Sequence, residues 1–197
     1  MNLPNKLTLF RIILVPLIVF IRIFPYAYFN IPVMQLQFGW VSLSLLNLIC
    51  LFIFLLAAIT DYFDGMIARK HNLITTFGKF ADPIADKLLV NTMFILFASD
   101  NIIPVVPVIL MILRDTIVDG IRMIASKNGV VVAAGYLGKI KTVAQMVAIV
   151  LILLNNLPFE LYKIAMSDFA LWFATFVSIA SGVSYFIQMK EFIFESK

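Results

Sequence analysis

This chain of 197 residues has little cysteine, little histidine and few charged side chains, and each shortage excludes a class of protein. The single cysteine, Cys50, rules out an internal disulfide framework and any cysteine-based metal cluster. The single histidine, His71, falls in a predicted loop without an evident partner, so we assign it no catalytic role. Only 13% of the residues are charged, against about a quarter in soluble domains, which excludes an ordinary soluble globular protein.

What the chain has instead is long apolar segments. Hydrophobic residues make up 62% of the sequence and the mean hydropathy is +1.03, values typical of an integral membrane protein. The pattern predicts an all-α membrane protein with six transmembrane helices and a short amphipathic N-terminal helix over residues 1–11. The predicted spans cover residues 11–28, 40–60, 78–98, 102–125, 142–157 and 170–189. We expect residues 1–197 to form a single integral membrane domain.

The distribution of basic residues predicts the orientation in the membrane. Residues 29–39 are expected to form a loop or a short interfacial piece, and residues 70–77 and 126–141 two further loops. Six spans leave both termini on one side. That side is expected to carry Lys6, Arg69, Lys70, Lys79, Lys127, Lys139, Lys141 and Lys190, whereas the opposite side has little beyond Arg22 and Lys163. The positive-inside rule therefore places both termini at the cytoplasmic face of the cell membrane. These residues lie at segment ends and form no soluble basic stripe, so a nucleic-acid partner is not expected.

Four of the eleven acidic residues fall between Asp61 and Asp86, in the pattern D-x2-D-G-x2-A-R-x8-G-x3-D-x3-D. Asp61 and Asp64 are three residues apart, and Asp82 and Asp86 four apart, so each pair shares one helix face. If the two helices face each other, the four carboxylates converge at the cytoplasmic end of spans two and three. Such a cluster is very costly at membrane depth unless cations neutralise it. Two divalent cations, Mg²⁺ or Mn²⁺, suit these oxygen ligands.

The residues interleaved with the aspartates suit a phosphate ligand. Gly65 has no side chain and lets a ligand approach the backbone, and Gly78 either does the same or allows close helix crossing. Arg69 lies four residues after Gly65 on the same face, where it can clamp a diphosphate. The alternative is that these charges only flank helix ends at the membrane surface.

The complete pattern resembles the signature of the CDP-alcohol phosphotransferase family, and all eight of its fixed positions are present. The resemblance implies a six-helix membrane enzyme, typically a homodimer, that moves a phosphoalcohol from a CDP-linked donor to an acceptor hydroxyl and releases CMP. It further implies that Asp61, Asp64 and Asp82 bind metal, and that Asp86 completes the metal site or acts as the base. The CDP pocket is implied to be lined by Gly65, Ala68, Arg69 and Gly78.

A second group of charged residues bears on the acceptor. Arg114 and Arg122 are eight residues apart on the fourth predicted span, and Lys139 and Lys141 follow in the next loop. One interpretation is a buried ion-pair network, in which Asp115 or Asp119 pairs with either arginine. The other is a pocket for an anionic acceptor.

The stretch from residue 114 to 145, and the start PNKLTLFRIILVP, resemble the phosphatidylglycerophosphate synthases in particular. That resemblance implies CDP-diacylglycerol and glycerol 3-phosphate as substrates. In the N-terminal segment, Asn5 and Thr8 (with Arg11) are candidates for covering the nucleotide, with membrane anchoring as the alternative.

Three other functions remain open on the sequence alone. One is a related CDP-diacylglycerol enzyme whose acceptor is serine, inositol phosphate or phosphatidylglycerol. Another is a membrane prenyltransferase, whose two aspartate-rich motifs normally lie further apart in sequence. The third is a cation transporter, for which we expect acidic residues spread along a path through several helices.

Overall fold

The computed structural model describes residues 2–70, 75–127 and 135–194, and these form six α-helices and one β-hairpin. The helices are α1 (Leu3–Ile23), α2 (Leu45–Lys70), α3 (Thr76–Ser99), α4 (Val105–Lys127), α5 (Tyr136–Leu153) and α6 (Met166–Phe194). The antiparallel strands are β1 (Gln35–Phe38) and β2 (Val41–Ser44). A short 3-10 helix (Phe159–Tyr162) lies between α5 and α6.

Residues with a left-handed backbone mark several helix ends. Asn101 directly follows the C-cap of α3 with a φ of 57°, and Asn155 and Asn156 follow α5 with φ values of 52° and 61°. Asparagine tolerates this conformation better than most residues, which makes it a natural stop signal. α3 begins at an N-cap, Thr75, whose hydroxyl accepts a hydrogen bond from the Gly78 N–H at 3.0 Å.

The N-terminal segment differs from the prediction, because the short amphipathic helix and the first span are one helix, α1. No glycine or proline separates them, and the helix continues through Pro16. The polar stripe of this segment, Asn5, Thr8 and Arg11, is buried inside the protein. These side chains therefore contact other helices, and membrane anchoring does not account for them.

The prediction was also wrong for residues 29–44, where part of the expected loop and the start of the second span form the hairpin. Val41 and Leu43 are buried while Ser42 is exposed, which is the period of two that a strand requires. Gly39 supplies the positive φ, +64°, at the turn. α2 consequently begins at residue 45 instead of residue 40.

The loop predicted over residues 126–141 is shorter than expected, because α4 continues to Lys127 and α5 begins at Tyr136. Lys139 and Lys141 therefore lie on the first turns of a helix, whose backbone fixes their direction. α3 likewise starts at Thr76, two residues earlier than predicted. Residues 71–74, with His71, and residues 128–134 lie outside the described part of the chain.

The helices pack in two groups of three. α1 packs on both α2 and α3, and α6 packs on both α4 and α5, while contacts between the groups are sparser. One apolar core joins the groups, with Phe54, Met93, Phe97 and Ile149 among its most buried members. Three helical segments of the described chain are long and apolar enough to cross a membrane: Leu45–Ile67, Tyr136–Leu153 and Met166–Lys190. They indicate membrane association.

Candidate active site

The four predicted aspartates do meet in the structure. Asp61 and Asp64 lie in the last third of α2, and Asp82 and Asp86 in the first half of α3. We call these four residues the aspartate quartet. Asp64 is buried, with 3% of its side chain exposed, whereas the other three are 33–42% exposed. The quartet therefore has a dry side within the helices and a side open to ligands.

The two helices do not meet face to face, which was the condition for the predicted convergence. Instead, α1 lies against both of them and places Arg11 between the pairs. The Arg11 side chain is fully buried, and its Nη1 donates to Asp61 and Asp86. Its Nη2 donates to Asp64 at 2.9 Å and lies 4.0 Å from Asp82. A guanidinium can bind several carboxylates at once, since its donors spread in a plane. Arg11 thus places a single positive charge among four carboxyl groups.

Thr8 and Asn5, one and two turns before Arg11, extend this contact between α1 and α3. The Thr8 hydroxyl donates to Asp82 at 2.6 Å, and the side-chain amide oxygen of Asn5, Oδ1, accepts from the Thr75 hydroxyl at 2.8 Å. A Cβ added to Gly78 would stand 3.3 Å from both the Asn5 and Thr75 oxygens. The close approach predicted at Gly78 is thus made by α1 in this structure.

The donor set of the quartet fits a divalent cation, although its oxygens now face a guanidinium. Carboxylate oxygens are the preferred ligands of Mg²⁺ and Mn²⁺, and the excess negative charge around Arg11 requires further cations. In the present arrangement the described residues contain no group of three or more His, Cys, Asp or Glu side chains spaced to hold a metal ion. The four carboxylates are thus suitable ligands for a divalent cation, and in this structure the Arg11 guanidinium lies at the point where they converge.

Of the residues between the two aspartate pairs, Gly65 follows Asp64 on α2 and is half-buried. Ala68 and Arg69 belong to the last turns of the same helix, and their side chains lie outside the described part of the structure. The roles predicted for these three positions stay predictions.

A cavity of about 340 Å³ joins the quartet to the second predicted group. Asp82 and Asp86 line one part of it. The rest of its charged lining includes the four residues that we call the basic cluster, Arg114, Arg122, Lys139 and Lys141. Helices α3, α4 and α5 thus bring together residues separated by more than fifty positions in sequence.

The structure shows part of the ion-pair network, and the acceptor pocket stays a prediction. Arg114 donates to Asp115 at 2.8 Å, and Lys141 donates to the same carboxylate oxygen, so an ion-pair network is present as one alternative predicted. Asp119 pairs with Lys87 of α3 instead of with an arginine. Because Asp115 is shared by two cations, the network stays positive at the cavity wall.

The other two members of the cluster have no carboxylate partner within the described ranges. Arg122 donates to the Tyr185 hydroxyl at 2.6 Å, and Lys139 is exposed at the start of α5. The charge needed for an anionic ligand is therefore available.

Sequence reasoning missed the contribution of α6, which hydropathy describes only as a span. Its Tyr185 ring lies beneath two guanidiniums, at 5.7 Å from Arg114 and 5.0 Å from Arg122. The Tyr185 hydroxyl also accepts from the Gly135 N–H at 2.8 Å, and Ser181 accepts from Arg114 at 2.6 Å. Polar side chains inside an apolar helix were the available signal.

Comparison with known proteins identifies the family. Residues 1–180 match the sequence profile of the CDP-alcohol phosphatidyltransferases. The chain belongs to this family. It is 44% identical over 185 residues to the CDP-diacylglycerol–glycerol-3-phosphate 3-phosphatidyltransferase of Bacillus subtilis, with 94% of this chain and 93% of the relative covered. It is 36% identical over 192 residues to the protein of the same name from Rickettsia felis, with 97% of each covered.

A relative from Salmonella choleraesuis carries the same name and is 38% identical over 152 residues, covering 75% of this chain and 74% of its own length. CDP-alcohol phosphatidyltransferases are membrane-associated enzymes that generally depend on divalent cations. The family confirms the enzyme class that the aspartate pattern predicted.

Proposed function

We propose that this CDP-alcohol phosphatidyltransferase transfers the phosphatidyl group of CDP-diacylglycerol to sn-glycerol 3-phosphate, releasing phosphatidylglycerophosphate and CMP. The observation that carries the proposal is the single cavity that Asp82 and Asp86 share with the basic cluster. One part of it offers oxygen ligands for metals on a diphosphate, and another offers cations for the phosphate of an acceptor. Full-length relatives named for this reaction support the same substrates.

The donor half of the reaction belongs to the aspartate quartet. Asp61, Asp64 and Asp82 are the residues that would hold divalent cations, with Asp86 as a further ligand, a base, or both. When bound there, two Mg²⁺ or Mn²⁺ ions would offset the negative charge of the diphosphate and make its phosphorus a better electrophile. The nucleotide side of the pocket is assigned to Gly65, Ala68, Arg69, Gly78, Asn5 and Thr8.

The acceptor half belongs to the basic cluster. Arg114, Arg122, Lys139 and Lys141 hold the phosphate of glycerol 3-phosphate, because guanidinium and ammonium groups are the usual partners of a phosphate dianion. The glycerol chain then extends toward Asp86, which lines the same cavity. Serine lacks the phosphate and gains little from this cluster.

In the reaction, the primary hydroxyl of the acceptor forms a bond to the β-phosphorus of the donor. Asp86 takes the hydroxyl proton as this bond forms, and the bond from the β-phosphorus to the bridging oxygen of CMP breaks. CMP leaves with the bonding electrons. Most of the acceleration comes from holding the hydroxyl in line and from fixed positive charge around the phosphoryl oxygens.

The topology is proposed with the mechanism. We infer six membrane spans in one domain, with both termini and the cavity mouth at the cytoplasmic face of the cell membrane, and a homodimer as in the family. Basic residues dominate the ends of the chain and the cytoplasmic loops. A soluble acceptor can then reach the cavity from water while the lipid donor enters from the bilayer.

The topology is tested by thiol labelling. Cys50 is the single cysteine and is fully buried, whereas Lys6 and Lys163 are exposed near opposite ends of the helices. In right-side-out vesicles, a membrane-impermeant maleimide should label Lys163→Cys and leave Lys6→Cys unlabelled until the membrane is opened. The reverse pattern would contradict the orientation.

The reaction is tested with purified protein, CDP-diacylglycerol and one acceptor at a time. We expect CMP release with glycerol 3-phosphate, and none with serine, inositol phosphate or phosphatidylglycerol. EDTA should abolish release and excess Mg²⁺ should restore it. Release with serine but not with glycerol 3-phosphate would refute the acceptor, and full activity in EDTA would refute the metal site.

A further inference from the structure

Two residues of α6, Ser181 and Gly182, contact the side chain of Arg114, which lies on α4. A Cβ added to Gly182 would stand 2.8 Å from Arg114 Cγ, a separation that real Cβ atoms essentially never show. The added carbon would also approach the Arg114 Nε at 3.6 Å and Cδ at 3.8 Å. The aliphatic part of the Arg114 side chain therefore packs directly on the backbone of α6, in the space that a side chain at position 182 would occupy.

The neighbouring residue holds the other end of the same side chain. Ser181 is fully buried, and its hydroxyl accepts a hydrogen bond from Arg114 Nη2 at 2.6 Å. Only 10% of the Arg114 side chain is exposed. We call Ser181 and Gly182 the arginine seat, since one residue accommodates the stem and the other binds the guanidinium.

The position of Arg114 also affects two neighbouring charged residues, Asp115 and Lys141. Arg114 Nη1 donates to Asp115, and Lys141 donates to the same Asp115 oxygen. Arg114, Asp115 and Lys141 line the cavity that also contains Asp86. If Arg114 moved away from α6, its guanidinium would lie at a different distance from the aspartate quartet. Asp115 and Lys141 would shift with it, because the three side chains are joined by hydrogen bonds.

We propose that the arginine seat of α6 is a positioning element that sets the affinity for the phosphate-bearing acceptor. The proposal rests on the acceptor site proposed above and extends it to a helix that carries no part of the family's aspartate pattern. Ser181 and Gly182 act through Arg114. They orient its guanidinium and leave the donor side of the cavity unchanged.

The chain offers a matched control for each half of the seat. Gly120 is also a helical glycine, and a Cβ added there meets no atom of the described residues within 4 Å. Ser184 lies one turn after Ser181 on α6, and its hydroxyl accepts from the exposed Gln188 at 3.2 Å. The comparisons are Gly182→Ala with Gly120→Ala, and Ser181→Ala with Ser184→Ala.

The kinetic experiment measures the KM of each substrate and kcat for the four variants in detergent. Both seat variants should raise the KM for glycerol 3-phosphate by about tenfold, the size expected when a charge-assisted hydrogen bond is lost or displaced. The KM for CDP-diacylglycerol should stay within about twofold of the wild-type value, and both controls should behave as wild type. A merely structural seat predicts instead that both KM values change together, or that only the amount of folded protein falls, and either result would overturn the proposal.

A binding readout separates this proposal from the reaction itself. Glycerol 3-phosphate should raise the unfolding temperature of the wild type and of both controls, and raise it less in the seat variants. If this difference appears while the wild type forms no phosphatidylglycerophosphate, the seat stands and the proposed reaction is wrong. If glycerol 3-phosphate stabilises wild type and seat variants equally, the seat does not position an anion-binding residue.

Discussion

Replacing Arg11 by methionine tests how the aspartate quartet is neutralised. The substitution keeps an unbranched apolar stem at a fully buried position and removes the guanidinium with its charge. It also removes donors to Asp61, Asp64 and Asp86, and a charge 4.0 Å from Asp82. In the absence of metal we therefore expect the Arg11→Met protein to be markedly less stable than the wild type.

The structure sets the size of this effect. Removing one partner of a buried ion pair costs about 3–5 kcal/mol, because the other charge is left uncompensated. Three of the four carboxylates are 33–42% exposed and regain water, so the lower end of that range, about 3 kcal/mol, applies. For a chain of this size that corresponds to roughly 6–12 °C in the unfolding temperature.

Divalent cations should reduce the difference in stability between the Arg11→Met protein and the wild type. Mg²⁺ or Mn²⁺ can neutralise the same carboxylates in place of the guanidinium, so the Arg11→Met protein should gain more stability from metal than the wild type does. The single cysteine provides the assay, since Cys50 is fully buried in the core and reacts with a thiol-sensitive dye only on unfolding.

The control is Arg22→Met. Arg22 is 8% exposed and pairs with Asp100 at the opposite end of the helices. Its loss should lower the unfolding temperature equally in EDTA and in Mg²⁺. The reasoning about Arg11 is refuted if Arg11→Met is as stable as wild type in EDTA, or if metal stabilises both variants to the same extent.

Three substitutions test single residues of the site. Asp86→Asn should lower kcat by about 10²–10⁴ in a CMP-release assay, the usual contribution of a general base; a loss below tenfold would exclude that role. Gly78→Ala pushes on the Asn5 oxygen 3.3 Å away, so the donor KM should rise about fivefold, the equivalent of roughly 1 kcal/mol of overpacking. Lys139→Ala should raise the acceptor KM about tenfold while Lys6→Ala leaves it unchanged, and equal effects would remove Lys139 from the acceptor site.

The chemistry could be predicted from the sequence because it depends on local spacing. Residues three or four apart share a helix face whatever the helix packs against, so each aspartate pair was correct before any fold was known. The same holds for Arg114 and Arg122, which are eight residues apart. Helix bounds were less predictable. Val41–Ser44 alternates apolar and polar residues as a strand does, but four residues beside a long apolar run do not separate a strand from the start of a membrane helix.

The contacts of the charged residues could not be predicted in the same way. Arg11 and Asp86 are 75 positions apart, and only the packing of α1 on α2 and α3 places the guanidinium among the four carboxylates. Ser181 and Gly182 read as ordinary small residues of a hydrophobic span until Arg114 is seen to cross them. Hydropathy reports how apolar a helix is and carries no information on which side chain of another helix it meets.

By itself, then, the sequence determined the class of protein and which aspartates share a helix face, since composition and short spacing decide these. The two substrates were implied by its resemblance to a known family. The tertiary structure decided which cation sits among the aspartates, and which helix holds Arg114. It also decided that Asp82 and Asp86 share one cavity with the basic cluster. The physical reason is the distance along the chain over which each feature is decided. Residues within four positions of each other determine a helix face, whereas a charge inside a membrane protein is neutralised by a helix that can come from anywhere in the sequence.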